Sequence, residues 1–290
     1  MKIEDVKIVG VAGAGSMGSG IIQVAAQAGF QVRVFDVNEA MLQKAQKTIA
    51  TSLDRFIKKG TLTEDQKGEI TGRISYSTDV NTLSAAQYVI EAVFENVEVK
   101  KELFKKLEPV CGDDVIIASN TSSLSVTEMA SLVRCPENFV GMHFFNPVPM
   151  MKLVEIIPAL QTAQATTDVA LEMGRKFGKT PITCKDTPGF VLNRLLVPYM
   201  MDAIRLLEDG VASAEDIDTA MKLGAGMPMG PLELQDFAGV EIGYYVGDIF
   251  FNYTKDARFA PPTLLRNMVK AGHVGRKAGR GFYDYSEEKK

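Results

Sequence analysis

The stretch Gly13-Ala14-Gly15-Ser16-Met17-Gly18 constrains this chain most, because it joins an apolar run at 6–11 to a helically spaced one containing Ile21, Ile22, Val24 and Ala25. The order is strand, tight turn, helix. In such a unit the first glycine makes the turn, the second lets backbone approach a pyrophosphate, and the third lets helix pack on strand. The N–H groups at the helix start face the anion. A second apolar run, 32–35, ends in Asp36, where a ribose-binding acid belongs. A carboxylate there accepts from the ribose hydroxyls of NAD and repels the extra phosphate of NADP, and no arginine stands at Val37 or Asn38. The residues predict NAD over NADP; the plainer alternative is an ordinary strand-turn-helix with an exposed aspartate.

With 290 residues the chain has room for two domains and a core that needs no staples. Its three cysteines, Cys111, Cys135 and Cys184, are widely spaced and odd in number, which fits neither a metal site nor a disulfide framework and points to a reducing cytoplasm. The first apolar run follows Glu4 and Asp5 and ends in the glycine turn, so it reads as a strand rather than a signal core. No apolar stretch approaches the roughly 20 residues that span a bilayer, and a soluble protein with no membrane partner is expected. A net charge of −4 argues against a nucleic-acid surface. The lysine pairs Lys58/Lys59, Lys100/Lys101 and Lys105/Lys106 are either a solvated face or contacts to one anionic ligand.

After Asp36, residues 39–58 carry Met41, Leu42, Ala45, Ile49, Leu53 and Phe56 at helical spacing. Thr63 and Gln66 form a capping box for a short helix ending near Gly72. Strands resume at 74–77 and at 88–94, the latter almost wholly apolar and delivering Glu95 and Asn96 at its end. A helix over 97–110 precedes a strand at 115–118, which runs into the polar loop Ser119-Asn120-Thr121-Ser122-Ser123. Open α/β sheets bind ligands at such strand ends. Ser125 and Glu128 make a capping box, so Ser125 already has a structural task. Further strands follow at 139–145, at 152–157 and, after a helix over 167–177, at 181–184. The alternation predicts an α/β, Rossmann-type doubly wound sheet over residues 1–186. Beyond Asp186-Thr187-Pro188-Gly189 only helical patterns occur, the first over 190–207, and residues 187–290 read as a separate all-helical C-terminal domain. Its Leu-, Ile- and Met-rich segments suit a subunit interface as well as a core.

A nicotinamide cofactor carries hydride, so the protein must bind, orient and manage one proton. Only His143 and His273 are available as imidazoles, and His143 lies at a strand end beside Met142, Phe144 and Phe145. A histidine among aromatics is either a satisfied core residue or an acid/base. Glu155, the one acid among Leu153, Val154, Ile156 and Ile157, tips the reading, because a buried carboxylate needs a partner and an imidazole is an obvious one. The bland readings are an edge-strand acid for Glu155, a turn-former for Ser122 and a surface or capping residue for Asn193.

Several stretches in order resemble the 3-hydroxyacyl-CoA dehydrogenase family, and within it the short-chain bacterial 3-hydroxybutyryl-CoA dehydrogenases. They are GAGSMG with Asp36, SNTSSLS at 119–125, HFFNPVPMMKLVE at 143–155, KDTPGFVLNRLL at 185–196, KLGAGMPMGP at 222–231 and the tail GRKAGRGFYDY. The resemblance implies His143 as catalytic acid/base, Glu155 as its orienting partner, and Ser122 and Asn193 as the groups holding the reacting oxygen and thioester region. On the cofactor side it implies Gly13, Gly15, Ser16, Met17, Gly18, Asp36, Glu95, Lys100, Ser122, Asn146 and Lys277. Ser52 and Lys59 align with CoA contacts. The implied reaction is reversible hydride transfer between NADH and acetoacetyl-CoA, giving (S)-3-hydroxybutyryl-CoA, by a cytoplasmic homodimer paired through the helical domain. The rivals are a related dehydrogenase of a free hydroxy acid and a non-catalytic NAD-binding structural or redox-sensing protein.

Overall fold

In the computed structural model, which describes residues 1–289, the glycine turn joins strand β1 (Ile8–Ala12) to helix α1 (Ser16–Gln27). Gly13 has φ +105, and a Cβ there would lie 2.5 Å from the Ala92 carbonyl oxygen; a Cβ on Gly18 would lie 1.9 Å from that of Gly13. Only glycine permits both the turn and the close packing of α1 on the sheet. A Cβ on Gly15 would meet nothing within 4 Å, so its absence leaves open space above the turn.

The alternation continues through β2 (Gln31–Phe35), α2 (Glu39–Lys58), α3 (Glu64–Gly72), β3 (Ile74–Ser77), β4 (Tyr88–Glu91), α4 (Val97–Leu107), β5 (Ile116–Ser119) and α5 (Val126–Ala130). It ends with β6 (Phe139–Phe144), β7 (Leu153–Pro158), α6 (Gln164–Lys176) and β8 (Thr180–Thr183). The strands form one sheet in the order β3-β2-β1-β4-β5-β6-β7-β8. All neighbours are parallel except β6 and β7, which run antiparallel. Residues of α1, α2 and α6 bury one face of the sheet, and those of α4 and α5 bury the other. The predicted doubly wound architecture is present.

Two local departures have physical causes. β4 stops at Glu91 rather than running to Phe94, because the Val93 N–H donates to the Glu91 side chain (2.8 Å) and leaves the ladder. At α5 the Ser125 hydroxyl accepts from the Glu128 N–H as expected, while the Val126 and Thr127 N–H groups donate to Asp186. A carboxylate from 60 residues on thus completes the cap.

The chain divides into two units, Met1–Phe190 and Val191–Lys290. The first extends past Asp186 because Phe190, at φ +50, buries its ring in that unit's core. The first helix of the second unit, α7 (Leu192–Glu208), accordingly starts two residues later than its sequence pattern suggests. The unit continues through α8 (Ala214–Thr219), α9 (Pro231–Ala238), α10 (Val240–Thr254) and α11 (Thr263–Lys270). Two buried aspartates organise it. Asp218 accepts from the Leu232 and Glu233 N–H groups at the start of α9 and from the Tyr283 hydroxyl. Asp236 accepts from the N–H groups of Phe282 and Tyr283 and from the Tyr285 hydroxyl. These bonds explain the GFYDY tail. Among the described residues no helix is long and apolar enough to cross a membrane.

The contrast between two glycines gives a direct test. Gly18→Ala should lower the melting temperature, by overpacking on the order of 1–3 kcal/mol. Gly15→Ala should leave melting unchanged yet weaken NADH binding, because its methyl group enters only the open space above the turn.

Candidate active site

Asp36 is held by the turn it serves. Its Oδ2 accepts from the Ala14 N–H (2.8 Å) and its Oδ1 from the Asn38 N–H (2.9 Å). Each oxygen retains a lone pair for ribose hydroxyls. At the other end of the turn, α1 has no side-chain cap and no acidic residue in its first turn. Its dipole and N–H groups therefore remain available to a pyrophosphate. With the open space above Gly15, these residues fit a dinucleotide.

The antiparallel register places His143 of β6 directly opposite Glu155 of β7. Their side chains share a face, and His143 Nδ1 lies 2.8 Å from Glu155 Oε2. His143 is 5% exposed and Glu155 not at all. Phe145 and Phe190 flank the imidazole, with ring centroids 4.5 and 5.4 Å away. A carboxylate on Nδ1 fixes the ring and balances its charge when protonated, so Nε2 is the nitrogen that can exchange a proton. Cys184 faces Glu155 and Asp186; burial first, and then those charges, push its thiol up to about 12. Cys111 is pushed up to about 11 by burial, and neither thiol is a nucleophile at neutral pH.

Ser122 lies on the loop after β5, which is tied to both neighbouring features. Asn120 Oδ1 accepts from the Phe144 N–H (2.9 Å), joining the loop to the strand that carries His143. Glu95 Oε1 accepts from the Thr121 hydroxyl (2.5 Å) and from the N–H groups of Ser122 (2.8 Å) and Ser123 (3.1 Å). The Ser122 hydroxyl reaches Glu95 only at 3.5 Å. Burial pushes the Glu95 carboxyl up, but the Lys100 charge and these hydrogen bonds outweigh it and hold it below the usual range. Lys100 itself is enclosed, its ammonium shared between Glu91 and Glu95.

A cavity of about 410 Å³ opens between α1, α2 and the turn after β6. Ser16, Ser52 and Asn146 line it, and so do the cationic Lys44, Lys47 and Arg55. Lys179 supports the turn by donating to the carbonyls of Val148 and Met151, and burial, then the nearby Lys152, lowers its pKa to about 8. Lys59, at the C-terminal cap of α2, is exposed and is not among the cavity-lining residues. In the second unit Asn193 stands in the first turn of α7, and the exposed Lys277 sits on a single 3-10 turn between Gly275 and Gly279, both at positive φ. Among the described residues no His, Cys, Asp or Glu group could hold a metal ion.

Sequence reasoning did not single out Glu91, Asn120, Phe190, Lys44, Lys47 or Arg55. Glu91 carried the same signal as Glu155, an acid inside an apolar strand. Asn120 shared the signal of its polar strand-end loop, while Phe190, Lys44, Lys47 and Arg55 had none, because a core-seeking phenylalanine and surface cations look alike wherever they occur.

A dinucleotide turn and a buried imidazole–carboxylate pair within one unit define the class of nicotinamide-dependent dehydrogenases. Comparison with known proteins narrows it. The sequence profile of the 3-hydroxyacyl-CoA dehydrogenase NAD binding domain matches residues 8–187, and that of the C-terminal domain of the same enzymes matches 189–285. A 3-hydroxybutyryl-CoA dehydrogenase of Mycobacterium tuberculosis is 44% identical over 279 residues, covering 96% of this chain and 98% of the relative. The mitochondrial hydroxyacyl-coenzyme A dehydrogenase of Sus scrofa is 44% identical over 287 residues, covering 97% and 91%. The solved structure of (S)-3-hydroxybutyryl-CoA dehydrogenase PaaH1 from Ralstonia eutropha superposes with a TM-score of 0.94 at 45% identity, over 97% of this chain and 99% of that one. This chain belongs to the 3-hydroxyacyl-CoA dehydrogenase family.

Replacing Asp36 tests the cofactor side. Asp36→Ala should raise the NADH dissociation constant roughly tenfold or more, by loss of charged hydrogen bonds. It should also narrow the preference over NADPH, both read by NADH and NADPH fluorescence titration.

Proposed function

We propose that the protein is an NAD-dependent 3-hydroxybutyryl-CoA dehydrogenase that interconverts acetoacetyl-CoA and (S)-3-hydroxybutyryl-CoA. The observation that carries the proposal is the buried His143–Glu155 pair, in the unit that also bears the dinucleotide turn and a cation-lined cavity. A bound nicotinamide would give hydride to C3 in reduction and take it back in oxidation. In reduction, protonated His143 donates from Nε2 to the forming C3 alkoxide; in oxidation, the neutral ring removes the hydroxyl proton. Glu155 keeps Nδ1–H toward itself in both directions, so the ring presents the same nitrogen to substrate. Ser122, whose hydroxyl has only a 3.5 Å contact within the loop, is assigned to the reacting oxygen.

From the second unit, Asn193 is assigned to the thioester region and Lys277 to the cofactor. Glu95 and Asn146 are assigned to the cofactor directly, and Lys100 supports Glu95. Lys44, Lys47 and Arg55 suit the phosphates of a CoA ester, with Ser52 in the same cavity and Lys59 at the end of the same helix. This chemistry belongs to butyrate or fatty acid metabolism, and three free cysteines fit a reducing cytoplasm.

The exposed side chains Ile242, Tyr245, Ile249 and Tyr253 recur at helical spacing along α10. Such an apolar stripe suits a homodimer, with each copy covering the other's face. Sedimentation equilibrium should give a dimer for the wild-type chain and a monomer for Ile249→Asp.

The reaction is tested by the initial rate of NADH loss with acetoacetyl-CoA, beside free acetoacetate and beside NADPH. The rate should be confined to the CoA ester with NADH. Activity on free acetoacetate alone would move the protein to a free hydroxy acid, and no turnover with retained NADH binding to a non-catalytic role. His143→Ala should lower turnover by about 10²–10⁴-fold, the usual contribution of a general acid/base, with NADH affinity unchanged.

A further inference from the structure

Glu91 is fully buried at the end of β4, and neither the cofactor turn nor the histidine pair uses it. It is densely bonded. Both its carboxylate oxygens accept from Lys100 Nζ, at 2.7 Å each, and Oε2 also accepts from the Ser119 hydroxyl at 2.5 Å. The same ammonium lies 3.1 Å from Glu95 Oε2, while Glu95 Oε1 gathers the Thr121 hydroxyl and the N–H groups of Ser122 and Ser123. One cation is thus divided between two carboxylates, and the second holds the loop that bears Ser122.

We propose that Glu91 is a positioning residue for Ser122: by anchoring Lys100 it sets where Glu95 sits and so where the 119–123 loop presents the Ser122 hydroxyl. Lys100 is 1% exposed, so its place is decided by its carboxylate partners rather than by solvent. With the Glu91 charge removed, the ammonium is drawn wholly toward Glu95 Oε2, and the pull shifts the carboxylate whose other oxygen holds the loop. Glu91 is itself the last residue of β4, holds the segment just beyond that strand through the Val93 N–H, and grips β5 through Ser119, so the anchor is fixed to the sheet. The chain of contacts runs from a rigid strand end to a catalytic loop, which is the arrangement that holds a side chain near its productive position.

The inference rests on the proposed dehydrogenase activity, and an inactive wild-type enzyme would overturn that reading first. In active enzyme, Glu91→Gln keeps the shape and removes the charge. It should lower kcat/KM for acetoacetyl-CoA about tenfold or more, the scale of effect that a misplaced group produces. The deciding readout is the same substitution in a Ser122→Ala background. A residue acting through Ser122 loses its effect there, so the double variant should match Ser122→Ala within about twofold, as coupled sites do. An equal drop in both backgrounds, or unchanged kcat/KM in the single variant, would overturn the proposal. Should Glu91→Gln fail to fold, the pair Glu91→Gln with Lys100→Met removes both buried charges together, a change that such sites often tolerate. The same comparison with and without Ser122→Ala then decides the matter.

Discussion

The register between β6 and β7 is the constraint on which the rest of the site depends. These two strands form the one antiparallel pair of the sheet, and they set His143 across from Glu155. Side chains alternate along each strand. Phe139 and His143 face the α4/α5 side with Phe190, while Val140, Met142 and Phe144 face the α6 side. A slip of one residue would turn the imidazole toward α6 and bury Glu155 without its partner. The register is secured by the apolar side chains that alternate with the pair, so packing the core and assembling the buried imidazole–carboxylate pair go together.

Carboxylates with backbone N–H partners recur as the means of fixing loops. Asp36 clamps the glycine turn from the end of β2, Glu95 clamps the Ser122 loop, and Asp186 completes the cap of α5. In the second unit Asp218 and Asp236 fasten α9 and the tail in the same way. Each carboxylate accepts from two or more backbone N–H groups, which offsets the cost of desolvating it and ties together segments far apart in the chain. The polar side chains thereby shape loops that the apolar core cannot reach, among them the turn of Gly13 and Gly15 and the loop of Ser122.

Much of this was legible residue by residue. The glycine turn could be read because turn sterics act within a few residues, and Asp36 stood out because it closes the second apolar strand. Glu155 could be read because a lone acid in an apolar strand demands a partner. Glu91 met the same criterion and passed unnoticed, since its strand looked continuous to Phe94 and Glu95 seemed the functional acid. Phe190 was assigned to a helix on its pattern, yet it takes a left-handed backbone that lets its ring reach the core beside His143. Lys44, Lys47 and Arg55 lie on the polar face of α2, where nothing local separates a solvated lysine from one lining a cavity.

By itself the sequence determined the order of strands and helices, the dinucleotide turn, and the change from α/β to all-helical character. All of these depend on interactions between near neighbours. Only the tertiary structure decided that β7 runs antiparallel to β6, that Lys100 is shared by Glu91 and Glu95, and that Asn120 joins the serine loop to the histidine strand. Those contacts link residues brought together by the crossing of the chain through the sheet, and the free energy that selects them belongs to the packed whole rather than to any segment.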